Sequence, residues 1–295
     1  MSNYINIIDF NAIKLGDLSN EIGDYKFAFE NYSKVLDRIR NYRGDRTELA
    51  MMTNELIKKI NEVTKKIGVG ISILKFDDWK LTKTSFVKGK QCLKYLYLDK
   101  HKKQEKTPIS KEKQALFNRG HSFEEIVRNK EFPGGVNVKD KVGNFAYFNS
   151  YTRYLISLTD QIIIYEATII EDEVLVMCDV LIKNENGLID IYEIKSSIGI
   201  NEAILNDLSI QYTLAKKRFG IKLNSFNVIF RVDGKDENFT IQNLTNILEG
   251  NIEETDIKIK KFKQVLLDAE PNISMGSHCY KPYECEFIDY CKNKC

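Results

Sequence analysis

Through the first third of the chain, apolar residues recur every three or four positions. Leu49, Met52, Leu56, Ile60 and Val63 form one such series, and strand-like alternation is scarce between Ile8 and Ile67. The pattern predicts a helical N-terminal domain over residues 1–70, within which Leu15-Gly16, Gly23-Asp24-Tyr25, Ala28 and Tyr32 outline a helical hairpin. After Gly68 the texture changes. Residues 68–78 read as a short linker or strand, and residues 111–129 as a helix, before Gly134-Gly135 interrupts the chain. Aromatic and β-branched runs from Phe145 to Ile170 predict strands. Two apolar segments, residues 174–182 and 188–195, are joined by Asn184-Glu185-Asn186-Gly187 and predict a β-hairpin. A helix is expected over residues 207–219, with Asp207 as N-cap and Gly220 at its stop. A strand over 225–231 and a largely helical stretch over 243–267 complete an α/β (α+β) succession.

With 295 residues, 43% apolar and 29% charged, the chain is long enough to bury one large core or two modest ones. Lys and Arg number 44 against 42 Asp and Glu, so any nucleic-acid contact must come from local clusters of lysine. The opening residues lack the layout of a signal peptide, and no apolar run approaches the roughly 18 residues of a membrane span. The expectation is a cytoplasmic protein with no membrane contact. Four of the six cysteines, Cys279, Cys285, Cys291 and Cys295, crowd the C-terminus, where metal ligation is the leading explanation in a reducing compartment.

Hydrolysis of a phosphodiester with a hard cation needs carboxylates to hold Mg2+ or Mn2+ and a cation to support the developing charge. Asp179, Glu193 and Lys195 supply these groups. Glu193 and Lys195 are two apart on one strand and leave the same face, and the hairpin count brings Asp179 opposite Tyr192 or Glu193. A carboxylate two residues before Lys also occurs at Asp24, Asp78, Asp233 and Asp256, so the triplet alone says little. What singles out Glu193 is its place at the end of an apolar strand, with a strand-borne Asp before it and a helix after it. Charged Asp179 between apolar neighbours would be costly without a partner, and a metal is such a partner. A solvated ion pair at a strand end is the plainer alternative.

The order of these motifs resembles the RecB-like branch of the PD-(D/E)XK nuclease superfamily, from about residue 81 to 295. The residues that carry the likeness are Gly120 with Glu124, Asp179, Glu193-Ile194-Lys195 and Gln211. The chain is also similar to an uncharacterised bacterial family with the same Leu81-Thr82-Lys83-Thr84-Ser85-Phe86, Phe132-Pro133-Gly134-Gly135-Val136 and His278-Cys279 blocks, to CRISPR-associated exonucleases and to the AddB nuclease domain. The resemblance implies a restriction-endonuclease-like core, a mixed central sheet flanked by helices, over residues 81–295. It implies that Glu124, Asp179, Glu193 and the backbone carbonyl of Ile194 bind metal, that Lys195 assists hydrolysis, and that Gln211 contacts the substrate or Lys195. Relatives place His where this chain has Glu124, which leaves His121 as a reserve ligand, and the aromatic they carry four residues past the Gln is Ala215 here, with Tyr212 the neighbour of Gln211 instead. The activity implied is a metal-dependent deoxyribonuclease, an exonuclease or end-processing enzyme of single-stranded or duplex DNA, in repair or in phage or CRISPR-related defence.

Relatives join one early cysteine to three late ones around a 4Fe-4S cluster, which assigns Cys92, Cys279, Cys285 and Cys291 here. Thiolates suit zinc as well, and Cys295 with His278 offers spare ligands, so Zn2+ stands as the alternative. Cys178 points to the face opposite Asp179 and is read as a buried apolar residue. Lysines flanking Tyr95 and Tyr97, among them Lys88, Lys90 and Lys94, suit phosphate contact and base stacking. The N-terminal hairpin resembles a single tetratricopeptide repeat and suggests a protein partner. Two rival functions are a non-catalytic nucleic-acid-binding protein and a helical-repeat adaptor with a zinc-bound tail.

Overall fold

The computed structural model describes residues 8–43, 49–108, 111–232 and 235–294. Its helices are α1 (Phe10–Glu21), α2 (Tyr25–Asn41), α3 (Ala50–Thr64), α4 (Lys83–Gln91), α5 (Leu93–His101), α6 (Lys111–Glu131), α7 (Val138–Val142), α8 (Phe148–Leu158), α9 (Glu202–Phe219), α10 (Thr245–Glu249), α11 (Ile252–Val265) and α12 (Ile288–Lys292). Its strands are β1 (Leu81–Thr82), β2 (Val136–Asn137), β3 (Ile162–Glu171), β4 (Val174–Lys183), β5 (Ile189–Lys195), β6 (Leu223–Val232) and β7 (Lys235–Asn243). The chain divides into two units, residues 1–77 with 136–159 and residues 78–135 with 160–295.

The first unit is helical. Asp9 caps α1 by accepting from Ala12 N at 3.0 Å, and Asp24 caps α2 by accepting from Phe27 N at 3.4 Å. The second oxygen of Asp24 accepts from Ile73 N at 2.8 Å and Leu74 N at 3.0 Å, so this buried carboxylate is consumed by structure. α1 and α2 approach closely because Gly16 lacks a side chain: a Cβ there would lie 2.5 Å from the Tyr32 ring. The Tyr32 hydroxyl donates to Asp17 at 2.6 Å, and Ala28, Val35, Leu36 and Ile39 of α2 join Leu56 and Val63 of α3 in the core.

α8 corrects the expectation of strands from Phe145 onward. Its buried residues Phe148, Tyr151, Thr152 and Leu155 recur at helical spacing, which outweighs their aromatic and β-branched character. The carboxylate of Asp77 holds its start, accepting from Asn149 Nδ2 at 2.9 Å and Ser150 N at 3.3 Å. The helical unit therefore takes a second segment, 136–159, that the division at residues 1–70 and 81–295 assigned elsewhere.

The second unit is a mixed α/β structure with a central sheet flanked by helices. β3, β4 and β5 run antiparallel in that order, β6 lies parallel to β5, β7 is antiparallel to β6, and β1 pairs parallel with the start of β4. Most of β4, including Val174, Val176, Cys178, Val180 and Leu181, is buried, as a strand covered on both faces must be. Phe123 and Val127 of α6 pack on Val180, Ile194 and Ile229. Alternation along β4 and β5 then turns Asp179, Glu193 and Lys195 to the other face, toward α9. The β4–β5 turn follows the sequence, with Gly187 at φ 78° and Asn184 N donating to Leu188 O at 2.9 Å. α9 starts at Glu202 rather than Asp207, because Asn201 caps it by accepting from Ile204 N at 2.9 Å. β7 and α12 were not anticipated: Lys235–Asn243 is too polar to alternate clearly, and α12 spans only Ile288–Lys292.

Candidate active site

β4 has two partners along one edge, and the gap between them is where the candidate residues meet. β1 pairs with Val174 and Leu175, while β5 pairs only from Val180 onward. Asp179 lies at the fork, just before the Val180–Tyr192 pair, which puts it level with Glu193. Its Oδ2 accepts from the backbone N–H of Ile194 at 2.6 Å, so one carboxylate is fastened to the strand that carries the other. Glu193 is buried, and its Oε1 accepts from Lys195 Nζ at 2.8 Å and from Lys83 Nζ at 2.9 Å. Both ammonium groups also face Asp207 Oδ2 on α9, Lys195 at 2.5 Å and Lys83 at 3.6 Å. The other oxygen of Glu193, Oε2, is buried and has no hydrogen-bond partner.

The two carboxylates are driven apart in acidity. Burial opposes the charge on Glu193, but Lys195 and Lys83 overcome it and bring the group down to about 2. Burial raises Asp179 well above the usual carboxylate range, and the negative charges of Glu193 and Glu124 raise it further, beyond what Lys83 and Lys195 offset. Burial likewise works against the charge on Lys195, yet Glu193 and Asp207 hold its pKa above the ordinary value. In this cluster Glu124, Glu166, Asp179, Glu193 and Asp207 face Arg128, Lys83 and Lys195, so carboxylates outnumber cations by two. That excess equals the charge of one divalent ion, and the unpartnered Glu193 Oε2 gives it a ligand atom; the donors are hard oxygens, which suits Mg2+ or Mn2+. Among the described residues, however, no three His, Cys, Asp or Glu side chains are drawn up into a ready ligand set.

Glu124 sits on α6 and is ion-paired with Arg128 one turn on. The same guanidinium donates to the Asp179 carbonyl at 2.9 Å and to Glu166 at 3.1 Å, and stacks over the Tyr165 ring. Gly135 N donates to the hydroxyl of that tyrosine at 3.1 Å, and a Cβ on Gly135 would fall 2.4 Å from its ring, so this approach admits only glycine. Gln211, one turn after Asp207 on α9, is fully buried, and both amide atoms lack a partner. Such a group is costly unless something else satisfies it. The side chain of His121 and Cys295 lie outside the described residues.

Three expected DNA contacts change. Tyr212 is fully buried with its hydroxyl on Glu249, because adjacent residues on a helix point about 100° apart and Tyr212 turns away from the side of α9 that carries Asp207 and, one turn on, Gln211. Lys94 is buried and pairs with Glu270 at 3.5 Å. Lys90 pairs with Glu254 at 3.3 Å. Lys88 is bound to Asp99 at 2.7 Å and Glu286 at 3.1 Å, but it also lines a cleft of about 500 Å3 with Lys195, Asp207, Gln91, Tyr95 and Tyr283. Lys83, Asp207 and Arg128 are the site residues that the sequence did not assign to catalysis. Lys83 stood in the Leu81-Thr82-Lys83-Thr84-Ser85-Phe86 block without a role, and Asp207 only as a cap.

Cys92, Cys279, Cys285 and Cys291 line one small cavity with His278, Tyr95 and Leu98. None of the four is in a disulfide. The segment is folded back by Cys285 N donating to Cys279 O at 2.8 Å, and Gln91 ties it to α4 by donating to His278 O at 2.7 Å and Tyr283 O at 2.8 Å. Burial pushes the Cys285 thiol up to about 11, and Cys291, Cys92 and Cys279 add to the shift against the Phe287 N–H. Thiolates are the donor chemistry of an iron-sulfur or zinc centre, and a bound metal would remove that penalty by holding the deprotonated form, but here too no three of these side chains are drawn up into a ready ligand set among the described residues. Cys178 is buried in β4, away from this cavity.

No family model and no curated protein matches the chain. A solved structure described as the crystal structure of SSO0001 aligns over 84% of this chain and 98% of its own, with a TM-score of 0.35 and 13% identity.

Proposed function

We propose that the second unit is a divalent-metal-dependent deoxyribonuclease of the PD-(D/E)XK class. The observation that carries this reading is the fork in the sheet, which gathers Asp179, Glu193 and Lys195 on one face and leaves a buried Glu193 oxygen without a partner. Asp179, Glu193 and the Ile194 carbonyl, with Glu124 beside them, would hold Mg2+ or Mn2+, which when bound supplies an acidified water and charge compensation at the phosphate. Lys195, oriented by Glu193 and Asp207, presents an ammonium to developing negative charge. Gln211 has two unmet hydrogen-bonding atoms for substrate or for Lys195. The cleft beside Lys195, where Lys88, Tyr95 and Tyr283 stand alongside the acidic Asp207, Glu284 and Glu286, would take a nucleic-acid strand, single or at a duplex end, with the tyrosines offering stacking surfaces.

The four cysteines would hold a 4Fe-4S cluster whose part is structural, with Zn2+ as the alternative occupant. Incubation of the purified protein with labelled single- and double-stranded DNA, in Mg2+, Mn2+ or EDTA, tests the activity. Cleavage in either metal, lost in EDTA and in Lys195→Ala, supports it. DNA binding without cleavage in any metal favours the rival, a nuclease fold kept as a binding platform.

A further inference from the structure

We propose that Lys83 is the second working cation of this site, one that weakens divalent-metal binding in the empty enzyme and strengthens binding of the phosphate backbone. The inference rests on the metal-dependent reading above and adds to it a residue outside the carboxylate-x-lysine motif.

Lys83 is the first residue of α4, fixed in place by the preceding Thr82, whose hydroxyl caps the helix by accepting from Ser85 N at 3.1 Å. From there its ammonium reaches the same Oε1 of Glu193 that Lys195 holds, at 2.9 Å against 2.8 Å, and the same Oδ2 of Asp207. Glu193 and Asp207 thus share two ammonium groups between them, each lysine reaching both carboxylates. The two lysines arrive from different elements, one from a helix start and one from a strand, so the doubling is not a by-product of local sequence. Glu193 is nearly inaccessible at 1% exposure, whereas the Lys83 side chain keeps 23%, so part of the lysine's length is reached by solvent even though its partner is not.

Two effects follow from that placement. A divalent ion drawn to Asp179 and Glu193 meets the repulsion of Lys83 at close range, which lowers affinity for the metal alone. A phosphodiester entering with the metal brings negative charge toward the same ammonium, which raises affinity for the two together. Lys83 thus acts with opposite sign on the two ligands, against the metal alone and in favour of the phosphate.

The test uses the full chain with Lys83→Met, Lys83→Gln and Lys83→Arg. Mn2+ alone is titrated by calorimetry, and a short single-stranded oligonucleotide is titrated by fluorescence anisotropy in Ca2+. In the neutral variants the Mn2+ dissociation constant should fall by at least about tenfold, a lower bound for removing one charge facing a divalent ion at close range. Oligonucleotide binding should weaken by a similar factor, and Lys83→Arg should behave as the parent. Two neutral variants are used so that misfolding of one leaves a result. Mn2+ affinity unchanged or weaker in the folded neutral variant would overturn the proposal, as would oligonucleotide affinity that does not fall. If the parent binds Mn2+ and the neutral variants show both shifts while no protein cleaves DNA, the role of Lys83 stands and the nuclease reading fails. A parent that binds no Mn2+ sinks both.

Discussion

Asp179→Asn should stabilise the metal-free protein while removing its response to metal. Asp179 is buried, and burial followed by the charges of Glu193 and Glu124 makes its ionised form unfavourable, with Lys83 and Lys195 only partly compensating. Keeping such a group charged short of partners costs about 1–3 kcal/mol. The asparagine oxygen can still accept from Ile194 N, which now holds Oδ2 at 2.6 Å. At roughly 2–4 °C per kcal/mol for a chain of this class, the variant should melt about 2–12 °C above the parent in EDTA at pH 8. The sign follows from linkage: a carboxyl with a raised folded pKa binds its proton more tightly folded than unfolded. The parent therefore loses stability as pH rises through that folded value, and the advantage of the variant shrinks when both are melted at lower pH. Mn2+ at about a hundred times its dissociation constant should stabilise the parent by about 2.7 kcal/mol and the variant hardly at all. Circular dichroism melts at two pH values, with EDTA or Mn2+, read all of this. A variant that melts below the parent in EDTA at pH 8, or that gains as much from Mn2+, would refute the assignment of Asp179 as a carboxylate strained for want of a cation.

Lys195→Ala should abolish cleavage while DNA binding changes only a few-fold, since its contribution falls on transition-state charge; a cleavage time course and anisotropy check the two halves separately. Anaerobically purified protein should be brown with about four irons per chain, and Cys92→Ala, Cys279→Ala, Cys285→Ala and Cys291→Ala should each bleach it while Cys178→Ala does not. A colourless protein with one zinc would point to the alternative metal. Gly16→Ala should cost about 1–3 kcal/mol in urea unfolding, because a Cβ there lies 2.5 Å from the Tyr32 ring.

The strand-borne part of the site was legible because strand geometry is rigid. Alternation fixes the common face of Glu193 and Lys195, and the Asn184–Gly187 turn fixes the register that brings Asp179 level with them. Lys83 and Asp207 were not legible, since their positions depend on how helices dock on the sheet and on long side chains reaching a shared point. Tyr212 failed for the opposite reason: adjacency to Gln211 in sequence places it on another side of the helix. The lysines around Tyr95 were countable, but their acidic partners Asp99, Glu254, Glu270 and Glu286 come mostly from distant segments, so composition overstated the free charge. α8 was mistaken for strand because its residue types favour strands while the spacing of its buried positions does not. That error also bears on truncation: removing residues 1–77 would strip α8 of the unit it packs with, so point variants are the cleaner probes of the N-terminal helices.

α4 begins with Lys83 among the carboxylates and has Cys92 as its C-cap at the sulfur-lined cavity. At about 1.5 Å per residue it sets those two points roughly 14 Å apart, and at about 100° per residue it also sets their relative bearing. The helix is therefore a gauge block. Inserting or deleting one residue would swing the lysine off Glu193 or the thiol out of its cavity. Length in this stretch should be intolerant of change, and a library of single-residue insertions between Val87 and Gln91 should yield proteins that have lost either their metal-site chemistry or their colour.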